Sequence, residues 1–142
     1  MEEKLHFDDF NYVFGLAPEV FNGLDDLKCV TFQEAKDRGF HQDEEGDEEI
    51  SNFGDYTANL HSETSELWEA YRKRKLYSPC DKAEEMKSHN LPPLTCAEEE
   101  IADILIRALD TAARLNINVA KAVYYKMLFN RTRSFRHGNK LA

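Results

Sequence analysis

"HSETSELWEAY", residues 61–71, has helix formers throughout and neither Gly nor Pro. Around it, Tyr56, Leu60, Leu67, Ala70 and Tyr71 fall on one stripe at ~100° per residue. Glu63 falls in the middle of that stripe and Glu66 at its edge. A carboxylate at the centre of the face a helix buries needs a chemical reason.

The flanking sequence is helical too. "TFQE", with Thr31 at the N-cap and Glu34 three residues on, reads as a capping box, and Gly39 suits the position just after a helix end. This predicts a first helix from Thr31 to about Arg38, followed by the acidic loop "HQDEEGDEE". The second helix is expected from about Asp55 to Leu76. "YSPCDKAEEMKSHNLPPL" reads as a connector, broken by Pro79 and the Pro92–Pro93 pair. "TCAE", Thr95 to Glu98, is a second capping box and opens a third helix that runs to about Leu115. "NIN" makes a short turn, and a fourth helix should span Asn118 to Arg133, antiparallel to the third. No strand alternation and no internal repeat is evident. The predicted fold class is all-α, a helical bundle of four-helix type.

Composition sets outer limits. A chain of 142 residues, 42% hydrophobic and 32% charged, suits one domain with a core. No run of 18 apolar residues exists, so no membrane partner is expected. "MEEKLHFDDF" lacks the pattern of a signal peptide, and three cysteines without metal-type spacing suit a reducing compartment. The expected location is cytoplasmic. The net charge of −9 divides unevenly: residues 1–110 carry all 27 acids, while residues 111–142 carry no acid and seven Lys or Arg. The acidic body argues against stable nucleic-acid binding. Phe7, Phe10, Tyr12, Phe14 and Phe21 crowd residues 1–30, which read as an N-terminal extension packed on the core or on a partner subunit, ahead of a domain over 31–142.

The third predicted helix answers the second. Ile101, Ile104, Leu105, Ile106 and Leu109, with alanines between, cover more than half its circumference, and its polar stripe opens with Glu100 and Asp103. Glu63 and Glu66 have the same i, i+3 spacing, which puts Cβ atoms ~5–6 Å apart. Two charges at that distance repel by about 3 kcal/mol at an effective dielectric of 20. Facing pairs inside a bundle must protonate or share a cation, and oxygen ligands alone suit Mg²⁺ or Mn²⁺. The plainer alternative is that these acids are solvated; Glu69, Glu98 and Glu99 are expected to be ordinary surface residues or first-turn acids that favour the helix dipole. On the fourth helix Lys126, Asn130 and Arg133 share a stripe and form a phosphate-binding set beside such a metal, or else a salt-bridged surface. Phe40, His41, Trp68 and Tyr71 are candidates to stack on a base.

In order and spacing, E-x-x-E (Glu63, Glu66), E-x-x-D (Glu100, Asp103) and K-x-x-x-N-x-x-R (Lys126, Asn130, Arg133) resemble the MazG-like all-α nucleoside triphosphate pyrophosphatases. "EAKDRGF" and "NRTRSFRHGNK" add to the likeness, which covers about residues 30–140. The resemblance implies Mg²⁺-dependent hydrolysis of a nucleoside triphosphate to the monophosphate and pyrophosphate, in the role of nucleotide-pool housekeeping. It implies that Glu63, Glu66, Glu100 and Asp103 hold the metal and carry catalysis, and that Lys126, Asn130 and Arg133 hold the phosphates. It also implies a homodimer or homotetramer. Two alternatives stand beside it: a phosphoribosyl-ATP pyrophosphatase, which shares the metal logic, and a non-catalytic helical interaction module.

Overall fold

The computed structural model describes residues 14–41 and 53–134. It contains five helices: α1 (Pro18–Asp37), α2 (Phe53–Arg72), α3 (Ala83–Ser88), α4 (Cys96–Arg114) and α5 (Val119–Thr132). An isolated antiparallel bridge joins Pro79 to Thr95, and no strand occurs among the described residues. The all-α expectation is met. No helix among them is long and apolar enough to cross a membrane.

The expected start of the first helix is corrected. α1 begins at Pro18, where a proline at N1 has its φ already set and no N–H to orphan. Thr31 therefore lies mid-helix, and its hydroxyl donates back to the Lys28 carbonyl at 2.9 Å instead of capping. The helix crosses residue 30, so the division expected there falls inside α1. Its end is where Gly39 places it. Gly39, at φ 90°, donates to the Lys36 carbonyl, and Phe40 donates to that of Ala35, a Schellman ending. Phe7, Phe10 and Tyr12, the acidic run 42–49 and "FRHGNK" lie outside the described residues.

α2 stops at Arg72, short of the expected Leu76. Arg74 takes φ 56° and Lys75 donates to the Ala70 carbonyl, so a Schellman ending forms without glycine. The expected connector contains α3. α4 opens as predicted, with Thr95 accepting from the Glu98 amide while the Glu98 carboxylate accepts from the Thr95 amide. α5 opens as predicted at Asn118, whose side chain accepts from the Lys121 amide at 2.9 Å.

The helices pack in the sequence α2 on α4, α4 on α1, α1 on α5. The fourth predicted helix thus lies mainly against α1, not against its sequence neighbour. Aromatic contact explains part of this. Tyr124 of α5 meets Phe21 and Phe14 edge-on at 5.5 and 5.9 Å, with the fully buried Ala120 alongside. A buried charge pair explains the rest. The Asp25 carboxylate of α1 accepts from the Val119 and Ala120 amides at 2.9 and 2.8 Å, capping the start of α5. Lys28, 1% exposed, pairs with Asp25 at 3.0 Å and donates to the Ile117 carbonyl at 2.7 Å. Burial pushes the Asp25 carboxyl up, but bonds from the Ala120 amide, Lys28 and the Val119 amide outweigh it and hold it below its ordinary value.

Candidate metal centre and cleft

Packing α2 on α4 brings the two predicted acidic pairs to one interface. Oxygens of Glu63, Glu100 and Asp103 lie within 4.8 Å of one another. Glu63 faces inward as its place on the stripe requires, with a side chain 13% exposed. Arg107, one turn beyond Asp103 on α4, donates through Nε to Glu63 Oε1 at 3.1 Å and fixes one carboxylate of the three. Glu66 stands outside the trio. It is exposed, and Ser62 donates to its Oε1 at 3.4 Å.

The electrostatics show like charges without full compensation. Burial, with Glu66, Glu99, Asp103 and Glu63 adding to it, pushes the Glu100 carboxyl up to about 7. Asp103 is raised by burial and by Glu63, with Lys82 and Arg107 opposing. Three converging carboxylates and no nitrogen or sulfur donor form a set suited to a hard divalent cation.

Glu99 is corrected from a surface acid to a buried one. It sits behind the trio in an ion pair with Lys82. That pairing raises the Lys82 amine well above its ordinary value. Cys80 is buried close by, and burial raises its thiol. Lys82 thus pairs with Glu99 in the Cys80–Asp81–Glu99 group as Arg107 pairs with Glu63 in the trio.

An open cleft of about 650 Å³ adjoins the trio; Asp103 belongs to both, and Arg107, bonded to Glu63, also lines the cleft. Its walls come from the end of α1 (Thr31, Arg38, Phe40, His41), the start of α2 (Tyr56, Asn59) and α4 (Asp110, Thr111). Phe40 is 57% exposed and offers a free ring. His41 does not. Its Nε2 bonds Asp110 Oδ1 at 2.9 Å, its Nδ1 bonds the Tyr56 hydroxyl at 2.5 Å, and its side chain is 6% exposed. The expectation that His41 stacks on a base is therefore corrected: its ring already packs against Tyr56 and Phe32, with centroids at 5.5 and 5.0 Å. Trp68 and Tyr71 stack on each other on the exposed side of α2 and do not line the cleft.

The phosphate set is not assembled as expected. Lys126, Asn130 and Arg133 are exposed on or at the end of α5, and none lines the cleft or bonds the trio. The cause is the packing of α5 on α1, away from the α2–α4 interface. Lys126 instead lies over the Phe129 ring at 5.0 Å. The cations that the fold does place at the cleft are Arg38 and Arg107. Arg107 was visible on the polar stripe of the third predicted helix, four residues after Asp103. Asp110 lies on that same polar stripe and Tyr56 on the apolar stripe of the second predicted helix, but nothing local marks either as a partner of His41, 69 and 15 residues away. No family model, curated protein or solved structure matches this chain.

Proposed function

We propose that this protein is a Mg²⁺-dependent nucleoside triphosphate pyrophosphohydrolase, releasing pyrophosphate and a nucleoside monophosphate. The observation that carries the reading is the convergence of Glu63, Glu100 and Asp103 at the side of an open cleft whose far wall holds an exposed aromatic ring. A triphosphate has both ends that such a site addresses: an anionic chain for the carboxylate-held cation and a base for the ring.

In this reading Glu63, Glu100 and Asp103 hold Mg²⁺, and Mn²⁺ would serve the same oxygen ligands. An ion held there would supply polarisation of the phosphate oxygens and orientation of the attacking water. Arg107 keeps Glu63 in position and also lines the cleft, where its guanidinium would donate to a phosphate oxygen. Arg38, tied at 2.9 Å to Glu34 on the exposed wall, supplies a second cation. Glu66 adds negative charge next to Glu100 and completes the acidic quartet.

The same reading includes self-association. α2 buries no residue fully, and Trp68, Tyr71, Ile101 and Leu105 leave apolar surface exposed on α2 and α4. A homodimer is the smallest assembly that covers it. Light scattering at micromolar concentration should give a mass of at least twice 16.5 kDa, and the monomer mass would refute it.

The decisive experiment is a pyrophosphate-release screen over the common ribo- and deoxyribonucleoside triphosphates with Mg²⁺. Release from at least one, abolished by EDTA, is expected. No release from any would overturn the assignment.

A further inference from the structure

We propose that Tyr56, His41 and Asp110 form a positioning relay that holds the Phe40 ring in the cleft as the stacking surface for a nucleobase. The inference rests on the nucleotide reading above and names the residues that act on its base.

The backbone makes the case first. Phe40 sits between Gly39 at φ 90° and His41 at φ 65°. The first is easy for glycine. The second is sparsely populated for a side-chain-bearing residue and persists only where the surroundings impose it. They do so here from two other helices. Asp110 of α4 bonds Nε2 of His41, and Tyr56 of α2 bonds Nδ1. With Nε2–H donating to the carboxylate, Nδ1 is the acceptor and the Tyr56 hydroxyl the donor, so both ring nitrogens are satisfied in one tautomer. Ring packing against Phe32 and Tyr56 completes the enclosure.

The consequence falls on Phe40. Its amide is anchored to the Ala35 carbonyl at 3.0 Å, and His41 is anchored by the relay, so the residue between them is held at both ends. Its side chain is nevertheless exposed and faces the same cleft as Asp103. A ring held by its backbone and left free at its face suits a planar ligand, because little side-chain and loop freedom is lost on binding. The relay residues line the same cleft with their polar atoms engaged by one another, and they act on the base through Phe40.

The test is a double-mutant cycle read as binding. Titration calorimetry would follow the four α,β-imido deoxynucleoside triphosphates with Mg²⁺, with inorganic tripolyphosphate as the probe without a base. Loss of base stacking should weaken the best-bound analogue about 5- to 150-fold in Phe40→Ala. Tyr56→Phe should weaken it by a smaller factor, and that factor should vanish when Phe40 is already Ala. Tripolyphosphate should bind all four proteins alike. Asp110→Asn is a second entry to the relay and should behave as Tyr56→Phe does. The proposal is overturned if Tyr56→Phe and Asp110→Asn weaken tripolyphosphate equally, if their effects persist undiminished without Phe40, or if the unaltered protein binds none of the four analogues. An intact cycle in a protein that releases no pyrophosphate would overturn the hydrolysis reading and leave the relay standing.

Discussion

Replacing Asp25 by Ala should be among the most damaging single changes in the chain, although the residue is remote from the carboxylate trio. The side chain accepts two amide hydrogens at the start of α5 and pairs with a lysine that is 1% exposed. Hydrogen bonds to a charged group contribute roughly 1.5–3 kcal/mol each, and breaking one partner of a buried ion pair costs about 3–5 kcal/mol. These terms overlap, so about 4 kcal/mol is expected for Asp25→Ala. At about 2–4 °C per kcal/mol for a domain near this size, Tm falls by roughly 8–16 °C. Lys28→Met should cost much less, because Asp25 keeps its two amide donors and methionine fills similar space. The double variant should be less unstable than the sum of the singles, since no charge is left alone. Urea unfolding followed by circular dichroism at fixed protein concentration measures all four corners. A loss below about 1 kcal/mol for Asp25→Ala, or strict additivity in the cycle, would refute the argument that this pair holds α5 on α1.

The sign of the Asp25 pH effect also follows. Its folded pKa is depressed below the ordinary aspartate value, so its stabilisation is complete above that value and is lost as pH falls through the lower, folded pKa. Acid titration of Asp25→Asn should lack this loss. Glu100 acts in the opposite sense. Its carboxyl is raised from 4.5 to about 7, so the metal-free protein binds an extra proton between those values and loses stability as pH rises through them. Mg²⁺ should therefore raise Tm more at pH 8 than at pH 5, and Glu100→Gln should flatten the metal-free profile; a Mg²⁺ effect independent of pH would contradict this. Glu63→Gln and Asp103→Asn should each remove most pyrophosphate release while leaving the metal-free protein as stable or more so, and near-normal turnover in both would refute the metal centre. Thr95→Ala removes the α4 cap and should cost about 1 kcal/mol in urea unfolding. Arg133→Ala should change kcat/KM little, since Arg133 lies outside the cleft.

What the amino-acid order determined alone is local. Thr95 and Glu98, Asn118 and Lys121, and Gly39 with the last turn of α1 are partners within a few residues, and each marked its helix end correctly. The apolar period around "HSETSELWEAY" placed Glu63 on the inner face for the same reason: a helix repeats every 3.6 residues whatever packs on it. Local signals also misled. "TFQE" has the letters of a capping box, but Pro18 starts the helix thirteen residues earlier, and α2 ends on a left-handed arginine that has no residue-type signature. The rest was decided by contacts between residues far apart in sequence. Asp25 meets Ala120, His41 meets Asp110, and Glu63 meets Arg107 at separations of 95, 69 and 44 residues. Those pairings set α5 against α1 instead of α4, took Lys126, Asn130 and Arg133 away from the carboxylates, buried Glu99 with Lys82, and turned His41 from a candidate ligand contact into a support. Helix faces are properties of period and composition. Which face meets which depends on the helices' relative placement, which hydrogen bonds and ring contacts between distant segments select only once the chain has folded.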